Sequence, residues 1–218
     1  MFTTIFESRA ATATSGLLAR FRRRQGGVVA VEFAMLAPLL VTLMLGSIEL
    51  TQSLWASGKL DQATATVGDL ISQETALTDG QVEGLAIAAP LILRPYPEAN
   101  LALKITSIKG CLSDPDDPDS DMDYYVTWSR NWSNGNASGS PYTLNELFPK
   151  QPDSFKVIEG DTLIVTESTW SYTPTIAREL GTTVPMSEIA FHQPREVTEI
   201  AYPAAEDAST LTCDDYRG

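Results

Sequence analysis

Val28 to Ile48 reads VVAVEFAMLAPLLVTLMLGSI, and this stretch decides how the rest of the chain is read. Its 21 residues carry one charge, at Glu32. At 1.5 Å rise per residue a helix of that length reaches roughly 31 Å, enough to cross a hydrocarbon core of about 30 Å. A buried helix of a soluble domain is normally shorter and does not stand directly behind a run such as Arg20-Phe21-Arg22-Arg23-Arg24. A secretory signal has a shorter apolar core, about 7–15 residues, closed by a small-residue cleavage site. Here Glu49-Leu50-Thr51-Gln52 follows instead, so an uncleaved anchor is expected.

Outward from this span the charge divides sharply. Residues 1–27 hold Arg9, Arg20, Arg22, Arg23 and Arg24 against Glu7 alone, while the remainder holds 10 basic and 27 acidic residues. The positive-inside rule keeps the arginine-rich side in the cytoplasm. The expected order is a basic cytoplasmic leader over 1–27, a transmembrane helix over 28–50, a helical stem with a second short helix over 51–97, and an extracytoplasmic α+β domain over 98–218. A net charge of −13 speaks against nucleic acid as a partner, because such binders need a basic face. One histidine and two distant cysteines exclude the usual zinc frameworks, and no cofactor is expected.

A carboxylate in a membrane helix costs about 2.5–3.5 kcal/mol at mid-bilayer and less near an interface. Glu32 therefore asks for a reason. Cutting the chain after Gly27 would make Glu32 the fifth residue of the product and leave a cationic amine on Val28. That amine is placed to neutralise a glutamate at the same depth in a neighbouring subunit, offsetting the cost of burying either charge alone. Gly27 followed five residues later by Glu32-Phe33, behind a basic leader, resembles the processing site of type IV pilins. The longer run from Gly27 to Glu49 resembles the TadE/TadG-like minor pilins, or pseudopilins, of the Tad/Flp tight-adherence pilus. Gly27, Ala30, Val31, Glu32, Phe33, Ala34, Pro38, Leu40, Leu43, Gly46 and Glu49 carry the likeness.

That resemblance implies a non-catalytic, single-pass protein of the inner membrane that acts in pilus assembly, with its C-terminal domain periplasmic. It implies cleavage between Gly27 and Val28 by a prepilin peptidase, with Glu32 and Phe33 serving recognition and assembly. The implied partners are the membrane, other Tad pilins or pseudopilins, and the Tad platform proteins. Pro38 predicts a kink, and Ala30, Ala34 and Ala37 leave room for a neighbouring helix.

Past the span, Leu50, Leu54, Leu60, Ala63, Val67, Leu70 and Ile71 recur at helical spacing, extending the helix to about Gln73, with Gly58 and Gly68 as expected bends. Thr78-Asp79-Gly80-Gln81 has the form of a capping box, opening a short helix through about Leu93. Beyond Pro97 the period becomes two. Strands are expected from Leu101 towards Cys111, over Tyr124–Trp128 and Thr162–Tyr172, and more weakly over Ser187–Ile200. The stretch from Asp114 to Pro152 reads as an insertion.

Six aspartates between Asp114 and Asp123 raise the question of calcium, but an EF-hand counted from Asp119 lacks its glycine and meets Arg130 at position twelve. A solvated acidic loop, near 113–123, is expected in place of a metal site. Cys111 and Cys213 lie outside the cytoplasm in this topology, where disulfides persist, and a bridge tying the C-terminal tail to the first strand is expected. Trp128, Trp132, Trp170 and Tyr172 are read as sheet packing rather than as an adhesive surface. His192 has no nucleophile or ligand companions in sequence. The rival to the pilus reading is a single-span binding or sensor protein; no catalytic framework supports an anchored enzyme.

Overall fold

The computed structural model describes residues 26–133, 135–150, 152, 157–176, 181–202 and 211–217. Most of the basic leader, including the arginine cluster, lies outside these described residues. The chain forms two compact units, Met1–Leu50 and Thr51–Gly218. The protein is α+β: a long apolar helix α1 (Gly26–Ser72), two short helices α2 (Asp79–Ala86) and α3 (Ala88–Leu93), a five-stranded sheet, and a final short helix α4 (Cys213–Arg217). The strands are β1 (Ala102–Leu112), β2 (Met122–Ser133), β3 (Asn136–Ser138), β4 (Thr162–Tyr172) and β5 (Val184–His192). All neighbours are antiparallel, in the order β3-β2-β1-β4-β5.

In the second unit, Ala56, Leu60, Ala63, Val67 and Ile71 form the buried stripe of α1 at intervals of three and four residues. Leu50 and Leu54, which fit the same spacing, are exposed instead. The stripe packs on one face of the sheet with Leu103, Ile105, Trp128, Trp132, Ile164, Trp170 and Tyr172, joined by residues of α2 and α3. Thr64 fits into this apolar contact because its hydroxyl is shared with the Leu60 carbonyl and the Ser168 hydroxyl. The opposite face carries a smaller core of Ile108, Tyr124, Val126, Phe148, Leu163 and Val165. Phe148 is wholly buried, so part of the stretch read as an insertion closes the second face of the sheet.

One irregularity lets β2 serve both cores. Ser107 pairs with Trp128 but Ile108 pairs with Val126, leaving Thr127 as an extra residue. A bulge of this kind reverses which side chains face which side. Trp128 and Trp132 thereby face α1, while Val126 and Tyr124 face the smaller core.

α1 runs unbroken through Gly58 and Gly68. Gly68 answers to packing: a Cβ there would stand 2.5 Å from His192 Nδ1 and 2.9 Å from Thr166 Oγ1. Only a glycine lets the helix approach β4 and β5 so closely. Thr78 caps α2 with both halves of the box, accepting from Gln81 N–H while the Gln81 side chain accepts from Thr78 N–H. The helical stretch after Thr78 divides at Ile87 into α2 and α3. The last strand occupies Val184–His192 rather than Ser187–Ile200; the chain leaves the sheet just before Pro194, whose ring supplies no N–H for a ladder.

Candidate functional site: an uncovered apolar helix

Within the first unit, the described part of α1 leaves its apolar side chains exposed. Val28, Val31, Phe33, Met35, Leu36, Leu39, Leu40 and Leu43 are all exposed, and none of its most apolar window is buried. Burying a side chain of this class is worth about 1.5–3 kcal/mol, so so many uncovered ones define a surface made for lipid or for other helices. Its hydroxyl groups are locally satisfied. Thr42 donates its hydroxyl to the Pro38 carbonyl at 2.8 Å, and Ser47 donates to the Met44 carbonyl at 2.8 Å. Such back-bonding keeps hydroxyls tolerable where no water is present. Pro38 is accommodated within the continuous helix.

Gly27, Val28, Glu32 and Phe33 fall on the first two turns of α1, all exposed. No second group from the described part of the unit approaches Glu32 as an ion-pair partner. What the helix brings together is the Gly27–Val28 junction and the Glu32 carboxylate on an exposed apolar surface.

The second unit holds its charges in structural clusters. Arg130 lies 4.7 Å over the Tyr202 ring and donates through Nε to Tyr202 at 2.7 Å and Asp79 at 3.0 Å. The hydrogen bonds from Tyr202 and Arg130 lower the Asp79 pKa. Burial, reinforced by Asp79, pushes the Tyr202 phenol up to about 12. On the other face, the buried Glu167 carboxylate accepts from Tyr142 and Lys150. Burial and that carboxylate hold the Tyr142 phenol well above its ordinary range. Lys109 pairs with Glu199 at 2.8 Å and donates to the Leu211 carbonyl at 2.8 Å, beside the disulfide between Cys111 and Cys213. A cavity of about 560 Å³ opens there, lined by Lys109, Glu159, Glu199 and Arg217 among others. Among the described residues no three His, Cys, Asp or Glu side chains converge to hold a metal ion. In the acidic loop two aspartates close local turns, Asp114 accepting from Asp116 N–H and Asp117 from Asp119 N–H.

The aromatic residues weighed as an adhesive surface are interior: Trp128, Trp132, Trp170 and Tyr172 are all buried. His192 is half-buried at the end of β5, its Nδ1 without a hydrogen-bond partner. Burial lowers its pKa; the nearby Asp69 opposes that shift and Arg195 adds to it. The folded state thus takes up its proton at lower pH than the unfolded chain, whose histidine titrates near 6.5. Stability from this source is complete above about pH 6.5 and is lost as the pH falls through that value towards the folded pKa. Glu199, raised by burial, acts with the opposite sign, so the comparison needs a variant. His192 is the chain's single histidine. Urea titrations between pH 5 and 7 are expected to give a falling midpoint on acidification for the parent chain, and a flatter or opposite trend for His192→Gln.

Among the described residues one apolar helix is uncovered and leads into an α+β unit, the build of a single-pass, membrane-anchored protein. More particularly, residues 27–69 match the family of TadE-like proteins, about a fifth of the chain and the segment that carries the exposed helix and most of the buried stripe. The comparison with curated proteins and the comparison with solved structures returned no match.

Proposed function

We propose that this chain is a minor pilin or pseudopilin that acts without catalysis in the assembly of a Tad pilus. The observation that carries the reading is the TadE-like segment lying on a helix whose apolar surface is exposed among the described residues. Such a surface serves first as a membrane anchor and then as a packing face among other pilin-type helices. The N-terminus stays cytoplasmic, held by its arginines, and the acidic unit faces the periplasm. The Cys111–Cys213 disulfide supports that side, since such bonds persist in oxidising compartments.

In this mechanism a prepilin peptidase cuts between Gly27 and Val28, with Phe33 in its recognition sequence. The new Val28 amine then pairs with Glu32 of a neighbouring subunit, which orders the helices by depth. The partners are other Tad pilins or pseudopilins and the secretion platform. Glu32→Ala is expected to leave membrane insertion intact while sharply reducing piliation, counted by electron microscopy and by copurification with pilin and platform proteins. Normal pili from Glu32→Ala cells would remove the charge-pair mechanism. Mass spectrometry of the membrane-extracted protein checks the cut, which should leave Val28 as its first residue.

A further inference from the structure

We infer that the second unit does not stand clear of the bilayer but rests on it, with an apolar rim built from Leu54, Trp55 and Leu91 seated in the lipid headgroup layer and Arg94 beside it. The inference rests on the reading of residues 28–50 as the membrane span and holds whether or not the protein serves a pilus.

Three observations converge. Leu54 is 64% exposed and Trp55 70%, although the buried stripe of the same helix begins at Ala56. Further along the exposed side of α1, past Gly58, the residues turn polar with Asp61 and Gln62. The apolar surface therefore ends at Trp55. Leu91, 52% exposed, lies on α3, and hydrogen bonds bring that helix and its following turn to the same part of α1. Lys59 Nζ donates to the Ile92 carbonyl at 3.1 Å, and the Tyr96 hydroxyl reaches the Gln52 carbonyl at 3.4 Å. Arg94 between them is exposed.

The reach fits a headgroup layer. Trp55 is five residues past Leu50, about 8 Å along a helix. The polar layer on each side of a bilayer, the difference between about 30 Å of hydrocarbon and 40–45 Å in all, is roughly 5–8 Å deep. Tryptophan prefers that layer, where its ring is partly dehydrated and its N–H still finds acceptors. Arginine beside it can meet lipid phosphate. Lipid rather than a protein is the occupant favoured here, because the rim begins where the chain leaves its span.

The composition supplies the probe. Of the four tryptophans, Trp128, Trp132 and Trp170 are at most 3% exposed, so quenching from outside reports Trp55. The full chain would be reconstituted into phosphatidylcholine vesicles carrying a spin label either on the headgroup or at the acyl-chain end. The headgroup label is expected to quench tryptophan emission at least about twofold more than the chain-end label, as an interfacial ring should. Trp55→Phe should abolish most of that quenching. Both cysteines are in the disulfide, so Leu91→Cys can be labelled alone with an environment-sensitive dye. Its emission should shift to the blue in vesicles, while the same dye at Asp116→Cys in the acidic loop stays water-like. Quenching of Trp55 by aqueous acrylamide but by neither lipid label, or water-like emission at position 91, would overturn the docking. So would stronger quenching by the chain-end label, or shielding that varies with protein-to-lipid ratio, which would mean contact with a second copy. Failure of the protein to float with the vesicles would sink the span itself, a result separate from the others.

Discussion

Replacing both Cys111 and Cys213 with serine is expected to destabilise the second unit by as much as about 4–5 kcal/mol in the chain-entropy account. The bridge joins residues 102 apart in sequence, so it removes a large share of the unfolded chain's freedom. With a urea slope of about 2 kcal/mol per molar, the midpoint of the full chain in detergent should fall by roughly 2 M. The native fold should survive the change, because the tail has other holds. Tyr216 stacks on Tyr125 with ring centroids 4.8 Å apart, and Arg217 Nε donates to the Leu112 carbonyl at 2.9 Å. Lys109 grips the Leu211 carbonyl as well. The expected signature is thus a lower midpoint with the cooperativity and near-ultraviolet circular dichroism of the parent. An unchanged midpoint with both thiols alkylatable in the untreated parent would mean that the bridge does not form in the protein.

How far the sequence reveals this architecture depends on the range of the interaction concerned. β4 is written plainly, since the run of β-branched and aromatic residues over Thr162–Tyr172 is buried on both faces through Ser168 and keeps one face buried to Tyr172. The α2 cap is equally local, a matter of two side chains three residues apart. The bulge at Thr127 is not local: nothing in Tyr124–Trp128 marks the residue that will lack a partner, because the partner is on another strand. Gly68 is similar. In sequence it reads as a weak point of a helix, and only the approach of His192 and Thr166 shows it to be a contact. β3 is three residues long within an Asn, Gly and Ser-rich stretch, too short to display a period. Phe148 is not legible either, because its burial is decided by the sheet face beneath it.

The candidate site divides along the same line. Charge asymmetry, span length and the Gly27 to Glu49 pattern need no tertiary contact to be read. The family match over residues 27–69 falls on that same stretch. The ion-pair clusters of the second unit join residues far apart in the chain, Asp79 with Arg130 and Lys109 with Glu199, and so escaped sequence reading. Leu54 and Trp55 show the intermediate case. The spacing that assigns Leu54 to the buried stripe is correct as a period and wrong as a face, because the packed part of α1 starts only at Ala56.

Trp128 is the residue through which the second unit's parts are tied, and Trp128→Ala is expected to cost about 3–5 kcal/mol. Three separate contributions lie in its side chain. It is 1% exposed and fills the main core together with α1 and the sheet. Its indole stacks on Tyr202 with centroids 5.1 Å apart and an interplanar angle of 23°, a contact of a kind worth about 0.5–1.5 kcal/mol beyond burial. Its Nε1–H donates to the Ile200 carbonyl at 3.0 Å, fastening the segment that follows β5. Truncation leaves that carbonyl without its donor and frees Tyr202, which is also the partner of Arg130 and Asp79. Trp128→Phe restores most of the volume but not the N–H. It should therefore recover the larger part of the loss while leaving a deficit of about 1–3 kcal/mol, the usual cost of an unsatisfied buried polar group. Urea midpoints of the parent and the two variants in detergent provide the measurement. If alanine and phenylalanine prove equally costly, the hydrogen bond to Ile200 governs; if phenylalanine costs nothing, packing alone does, and the fastening of the 193–202 segment must come from its other bonds, such as Leu77 N–H to the Ala201 carbonyl at 2.8 Å.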